Sequence, residues 1–302
     1  MTYCVAFLLD AGLVFASDSR TNAGVDYIST YSKMHVFQPA PDRLFVLLAA
    51  GNLATTQAVL NRIKRDLHGR EGMAAALPLQ VSPSRTSAIS PSDDPGEAPH
   101  SLEGTLTADN VPEPAREWIP APPSPVTGAD LLSARYLFEA ADYIGRTSVA
   151  VQEQFASQMH QSGGSAQASF ILGGQIQGEG HGLFLIYPQG NAVMATQDTP
   201  FLQIGESKYG KPPLDFVGNA KLSLEDAARL CLVSQIVTRR ANLTVGPPFE
   251  IAMVPKDILQ VSRRLKFGIE SPELDRIMEV WATGMKAALQ RLPRFSWEQD
   301  PL

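Results

Sequence analysis

The sequence predicts an α+β fold, a layered sandwich of two mainly antiparallel sheets with helices outside. Three observations carry this. Strand-like and helical runs fall in separate blocks, in the order strands, helices, strands, helices, strand, helix, and segregated runs of this kind build layered sheets rather than alternating βαβ units. The opening strands are joined by short, turn-rich links. The chain is 44% hydrophobic over 302 residues, enough to bury a substantial core.

Residues 2–9 and 13–20 read as two strands around a tight turn at Asp10-Ala11-Gly12. Residues 34–37 and 43–50 read as two more, separated by Gln38-Pro39-Ala40-Pro41-Asp42. After Gly51 comes a helical stretch to about Leu67, with Leu53, Val59, Leu60, Ile63 and Leu67 on one broad face. Asp130 can cap a helix that runs to about Met159. Residues 169–172 and 183–187 are strand-like, and the turn Pro188-Gln189-Gly190-Asn191 leads into a further strand. Ser223-Leu224-Glu225-Asp226 is a capping box that opens a helix to about Arg240. Residues 249–254 form a short strand. The last helix starts at Ser271-Pro272-Glu273, with proline in its first turn and acidic residues at its positive end.

One segment breaks the pattern. Residues 71–130 hold 11 of the 23 prolines and seven serines. Such a composition cannot build a packed core. The chain is therefore expected to be a single domain, 1–302, with a Pro/Ser-rich, disordered insertion over 71–128. A docking role for that insertion, anchored on Trp118 and Ile119, is the functional alternative.

Composition also excludes function classes. A net charge of −6 argues against a nucleic-acid or anionic-membrane partner, which would want a basic face. It suits a cytoplasmic protein. Two cysteines, Cys4 and Cys231, make no disulfide framework, and no Cys/His cluster points to a metal. The apolar start is not a signal peptide: no Lys or Arg precedes the run and Asp10 interrupts it.

The candidate site comes from three pieces: Thr2, the run Ser17-Asp18-Ser19-Arg20, and Lys33. A turn centred on residues 10–12 pairs residue 2 with residue 19 or 20. Asp18 and Arg20, two apart, share one face of their strand. The third strand begins at Lys33 and can bring that ammonium to the same end. A hydroxyl needs a base to act as a nucleophile. Without Met1, Thr2 supplies its own, because an α-amine has a pKa of about 7.7–8.0 and is partly neutral at cellular pH. A nearby cation would favour the neutral amine. Threonine is small enough to follow a methionine that aminopeptidases remove, so no propeptide is required. Gly51, at a strand-to-helix handover, leaves room for a substrate carbonyl, and the amides there can stabilise an oxyanion. Cys4 is the rival nucleophile on the same strand face; as an internal residue without a free amine it reads as a buried structural thiol.

The run MTYCVAFLLDAGLVFASDSRTNAGVDYISTYSKMHVF resembles the amino-terminal region of Anbu, the bacterial proteasome-related subunit family. AAGNLATTQAVL resembles the proteasome β-type stretch in which a glycine opens the first helix. IGESKYGKPPLDF resembles the family's Gly/Ser loop, and LSLEDAARLCLVSQIVTRRANLTVGPPFEIAMV its following helix and strand. The likeness spans about 1–67 and 130–290. The spacing from Thr2 to Asp18 matches the family's, whereas Lys33 comes one residue early, a shift that a shorter turn around residues 24–29 absorbs.

The resemblance implies a four-layer αββα sandwich assembling into a ring or open spiral, and a threonine hydrolase acting on amide bonds of peptides or unfolded protein. It gives Thr2 as nucleophile and base, Lys33 as the tuner of that base, Asp18 and Arg20 as its holders and Gly51 as oxyanion donor. No metal or cofactor is implied. Genomic neighbours of the family include ATP-grasp ligases and transglutaminase-like proteins. Two departures stand out: the long insertion, and the supporting shell, where Ser207 and Thr244 are candidates for the family's two downstream serines and no aspartate stands at the expected place. Those departures keep two alternatives open, a non-enzymatic assembly subunit and another amide-processing enzyme of the N-terminal-nucleophile type.

Overall fold

A computed structural model of the chain describes residues 2–22, 28–75, 128–161 and 163–299. The first hairpin pairs β1 (Tyr3–Leu9) with β2 (Gly12–Asp18), Cys4 facing Ser17, which sets residue 2 opposite residue 19 as its turn predicts. A short ribbon follows, β3 (Arg20–Asn22) with β4 (Ile28–Thr30). Then come β5 (Met34–Ala40), β6 (Arg43–Gly51), α1 (Leu53–Ala75) and α2 (Leu137–Gln161). β7 (Ala168–Ile176), β8 (Gly182–Ile186) and β9 (Ala192–Met194) extend from β6 as a meander. β10 (Phe201–Gly205), α3 (Ser207–Val217), α4 (Leu224–Ala241), β11 (Phe249–Pro255), β12 (Arg263–Phe267) and α5 (Pro272–Gln290) complete the order.

Two five-stranded antiparallel sheets result, ordered β10-β1-β2-β11-β12 and β5-β6-β7-β8-β9. Each strand of the inner hairpin is apolar on both faces, so each sheet must be covered twice. One core fills the space between the sheets, with Ala6, Phe15, Val46, Leu48, Ile171 and Leu183. A second lies between β5–β9 and the helices α1 and α2, around Phe45, Leu47, Ile63, Ile144 and Phe170. A third lies between β1, β2 and β11 and the helices α3, α4 and α5, around Val5, Phe7, Phe249, Ile251 and Leu214. The predicted four layers, helix, sheet, sheet, helix, are therefore present. Each large side chain fully buried in these cores contributes about 1.5–3 kcal/mol relative to exposure.

Two local expectations need correcting. α2 begins at Leu137, not near Asp130. Asp130 does cap, its Oδ1 accepting from the backbone of Leu132 and Ser133 at 3.1 and 2.8 Å. The turn goes no further because Arg43 takes the carbonyls of Leu132 and Ala134 at 2.6 and 2.8 Å, which a continuing helix would need for itself. The end of β10 and α3 replace the loop read at residues 204–216. The capping box at Ser223 is formed as expected, with Ser223 Oγ accepting from the Asp226 amide at 3.0 Å. Most of the Pro/Ser-rich insertion lies outside the described residues; its first five residues, 71–75, continue α1. Among the described residues, no helix is long and apolar enough to cross a membrane.

Candidate active site

Thr2 stands just before β1 and is held by its backbone. Its carbonyl accepts from the Glu206 amide at 2.7 Å. The next residue is pinned twice: Tyr3 donates its amide to Asp18 Oδ1 at 2.9 Å, and its hydroxyl meets Ser234 Oγ at 2.6 Å in the layer beneath. Gln235 Nε2 donates to the Tyr3 carbonyl at 3.1 Å. The chain start therefore cannot slide along or swing away from the sheet without breaking several buried bonds, each worth about 1 kcal/mol or more.

Asp18 ends β2 and is fully buried; Lys33 is 8% exposed. Lys33 Nζ donates to Asp18 Oδ1 at 2.6 Å and to the Arg20 carbonyl at 2.7 Å. The Gly246 amide donates to Asp18 Oδ2 at 3.2 Å. Burial pushes the Asp18 carboxyl above the ordinary carboxylate range; the Lys33 ammonium and the two amides oppose that push. A buried ion pair gains little net stability over apolar residues of the same size. The pair lies at the end of β2, one strand over from Thr2, which makes this end of the sheet the candidate site.

Arg20 helps hold Lys33, as expected, but by its backbone. It meets Lys33 through its carbonyl, while its guanidinium donates to the Leu243 carbonyl at 2.7 Å. It thus anchors the 243–246 loop, whose Gly246 reaches Asp18. Gly51 ends β6 with φ of 117°, a region closed to most side chains, and Asn52 caps α1 by accepting the Thr55 amide at 3.1 Å. A Cβ at Gly51 would overlap the Gln167 carbonyl. Strand end, glycine and helix N-terminus coincide as the sequence predicts.

Ser207 is the first residue of α3, where its carbonyl accepts a long bond from Gln203 Nε2, 3.4 Å. The residue that meets Thr2 is its neighbour Glu206. Asn242 Nδ2 donates to Glu206 Oε2 at 3.1 Å, and Thr244 Oγ1 donates to Asn242 Oδ1 at 2.6 Å. A chain Thr2–Glu206–Asn242–Thr244 therefore flanks the chain start. Sequence reading misses Glu206 and Asn242. The pairing of β10 with β1, Gly205 opposite Tyr3, would find Glu206, but only once β10 itself is recognised as a strand. Cys4 is fully buried, and burial pushes its thiol far above the range of a usable thiolate. Cys231, also fully buried, behaves alike.

No known family profile and no curated protein matches the sequence. Solved structures do match. The chain is 34% identical to Anbu, the ancestral beta-subunit, from Yersinia bercovieri, with a TM-score of 0.72 over 98% of this chain and 100% of that one. It is 34% identical, TM-score 0.72, to the Anbu complex of Pseudomonas aeruginosa, solved as a helical assembly, over 99% of this chain and 100% of that one. It is 32% identical, TM-score 0.72, to an Anbu Gly-1 mutant from Hyphomicrobium sp. strain MC1, over 98% of this chain and 100% of that one. Similarity at this level along nearly the whole length places the chain in Anbu, the family of bacterial proteasome-related subunits.

Proposed function

We propose that the chain is a threonine hydrolase that cleaves amide bonds in peptides, with Thr2 as the nucleophile after loss of Met1. The observation that carries this reading is the buried Lys33–Asp18 pair, 2.6 Å apart and bonded to the amide of Tyr3 beside Thr2. The Thr2 α-amine takes the hydroxyl proton as Oγ attacks the substrate carbonyl. The amides near Gly51 and the α1 N-terminus receive the oxyanion. The intermediate collapses when the protonated amine gives its proton to the leaving nitrogen. Water, activated by the same amine, then hydrolyses the Thr2 ester. Lys33 holds a positive charge near the amine, which disfavours protonation of that amine.

A second reading rests on Glu206. Its backbone amide bonds the carbonyl of the residue that would carry the free amine, and Asn242 holds its carboxylate. A carboxylate favours an ammonium, and an ammonium cannot serve as a base. On this reading the chain is an assembly subunit with little activity. Mass spectrometry separates the two. The protein purified from its own host should lack Met1, and a peptide epoxyketone should add one probe mass to the peptide that begins with Thr2. Retention of Met1 throughout, or an adduct elsewhere, would overturn the hydrolase reading.

Assembly of many copies belongs to the same proposal. On α5, Leu274 is buried and Ile277 and Met278 are packed, but Val280, Met285 and Leu289 are 66%, 60% and 68% exposed. One isolated chain leaves these apolar side chains uncovered. The charge of −6 per chain resists association only weakly at physiological salt, where screening acts within about 8 Å. Mass photometry at micromolar concentration should show particles above roughly 300 kDa, about ten chains. A monomer of 32.7 kDa at every salt concentration would contradict this.

A further inference from the structure

One described cavity shares a wall with the site. It holds about 440 Å³ and borders Lys33, a volume suited to a single side chain and its backbone. One wall is α1, which presents Thr56, Gln57, Asn61 and Lys64 at helical spacing; the facing wall is Tyr31 and His35. Ala49, two residues before Gly51, forms part of the floor and donates its amide to the Lys33 carbonyl at 3.0 Å. The cavity thus opens beside the place where an attacked carbonyl would lie.

Its chemistry has one sign. Two ammonium groups line it and, among the described residues, no carboxylate does. Asp18 already engages Lys33, whereas Lys64 has no ion pair among the described residues. Of the other polar groups, Tyr31, Gln57 and Asn61 can each donate a hydrogen bond. His35 is held neutral at pH 7, its pKa lowered to about 4 by burial first and by Lys64 second, so Lys64 acts electrostatically across the cavity. Glu250 and Arg264 also face His35 with opposing effects. The Glu250 carboxylate does not neutralise the cavity, because Ser32 at 2.9 Å, Ser19 at 3.1 Å and Arg264 at 3.2 Å already hold it.

We propose that this cavity receives an acidic side chain, Asp or Glu, from the residue whose carbonyl Thr2 attacks. Lys64 supplies the charge, and Gln57 and Asn61 the hydrogen bonds. A basic side chain there would meet the Lys64 ammonium, which selects against it as well as for the acid. The inference rests on the Thr2 reading above, and its test keeps the two apart.

Three peptide epoxyketones that differ only in the residue next to the warhead, Glu, Leu or Arg, are compared by rate of adduct formation. The Glu probe should label about tenfold faster than the Leu probe, and the Arg probe slowest. Lys64→Glu, a change on an exposed helical position, should shift the Glu-to-Arg ratio by about a hundredfold towards Arg. Equal rates, or a preference for Leu that Lys64→Glu does not move, would overturn the acidic cavity and leave Thr2 as nucleophile. Absence of labelling by all three probes would instead remove the Thr2 reading. The cavity is then judged by fluorescence anisotropy of labelled tripeptide amides ending in Glu, Leu or Arg on the Thr2→Ala variant. Equal affinities there would overturn it, and a Glu preference lost in Lys64→Glu would support it.

Discussion

In Lys33→Ala, labelling of Thr2 by a peptide electrophile should fall by about three orders of magnitude, as large an effect as loss of the nucleophile's base. The variant also leaves Asp18 buried without its cation, which costs about 3–5 kcal/mol. Lost activity could then reflect lost structure. The double variant Asp18→Asn/Lys33→Met separates the two effects. It removes both charges at similar volume and should recover most of the stability that Lys33→Ala loses, yet label no faster than Lys33→Ala. A double variant that labels at the parental rate would show that the pair is structural only. The pH response gives a second check. With Lys33 gone, nothing cationic opposes the burial that already raises the Asp18 pKa. Folded Asp18 then holds a proton that the unfolded chain gives up above about pH 4, so Lys33→Ala should gain stability as pH falls from 7 towards 4. The double variant, with no carboxyl at this position, should lack that gain.

Much of this site is legible in the sequence because its parts are local or linked by one hairpin. The turn at residues 10–12 fixes the register of β1 against β2, and the register alone puts Asp18 beside Tyr3. Lys33 directly precedes the next long strand, and the handover from β6 to α1 makes Gly51 visible. What is not legible depends on contacts far along the chain. Glu206 reaches Thr2 only because β10 adds to the edge of β1, some 200 residues away. α3 carries Pro212 and Pro213 inside it, and proline within a helix reads as a break from sequence. β12 is short, charged and exposed, with none of the alternation that marks a strand. The α2 start is misplaced because Asp130 is a genuine cap whose turn is stopped by Arg43, a residue about ninety positions earlier.

Gly205→Ala should displace the nucleophile without touching any residue of the proposed chemistry. Gly205 has φ of 84°, and a Cβ there would fall on the carbonyl oxygen of Thr2. That oxygen is a backbone atom and cannot rotate aside as a side chain would. Either the Glu206–Thr2 bond of 2.7 Å breaks or β10 withdraws from β1. Two effects are mixed here, the strain of a positive φ and the collision, and Gly178 separates them. It has φ of 89°, and a Cβ added there would meet nothing within 4 Å. Gly178→Ala should therefore lose only about 1–2 kcal/mol of stability, the cost of the left-handed backbone, and label normally. Gly205→Ala should lose about 3 kcal/mol or more. Its labelling rate should drop by about a hundredfold, because displacement of a reacting atom by about 1 Å is enough for that. Chemical denaturation of both variants gives the stabilities, and the epoxyketone rate gives the geometry. If the two alanines cost the same in both measurements, the close approach of β10 to Thr2 does not position the nucleophile, and the chain start must be held by Tyr3 and Asp18 alone.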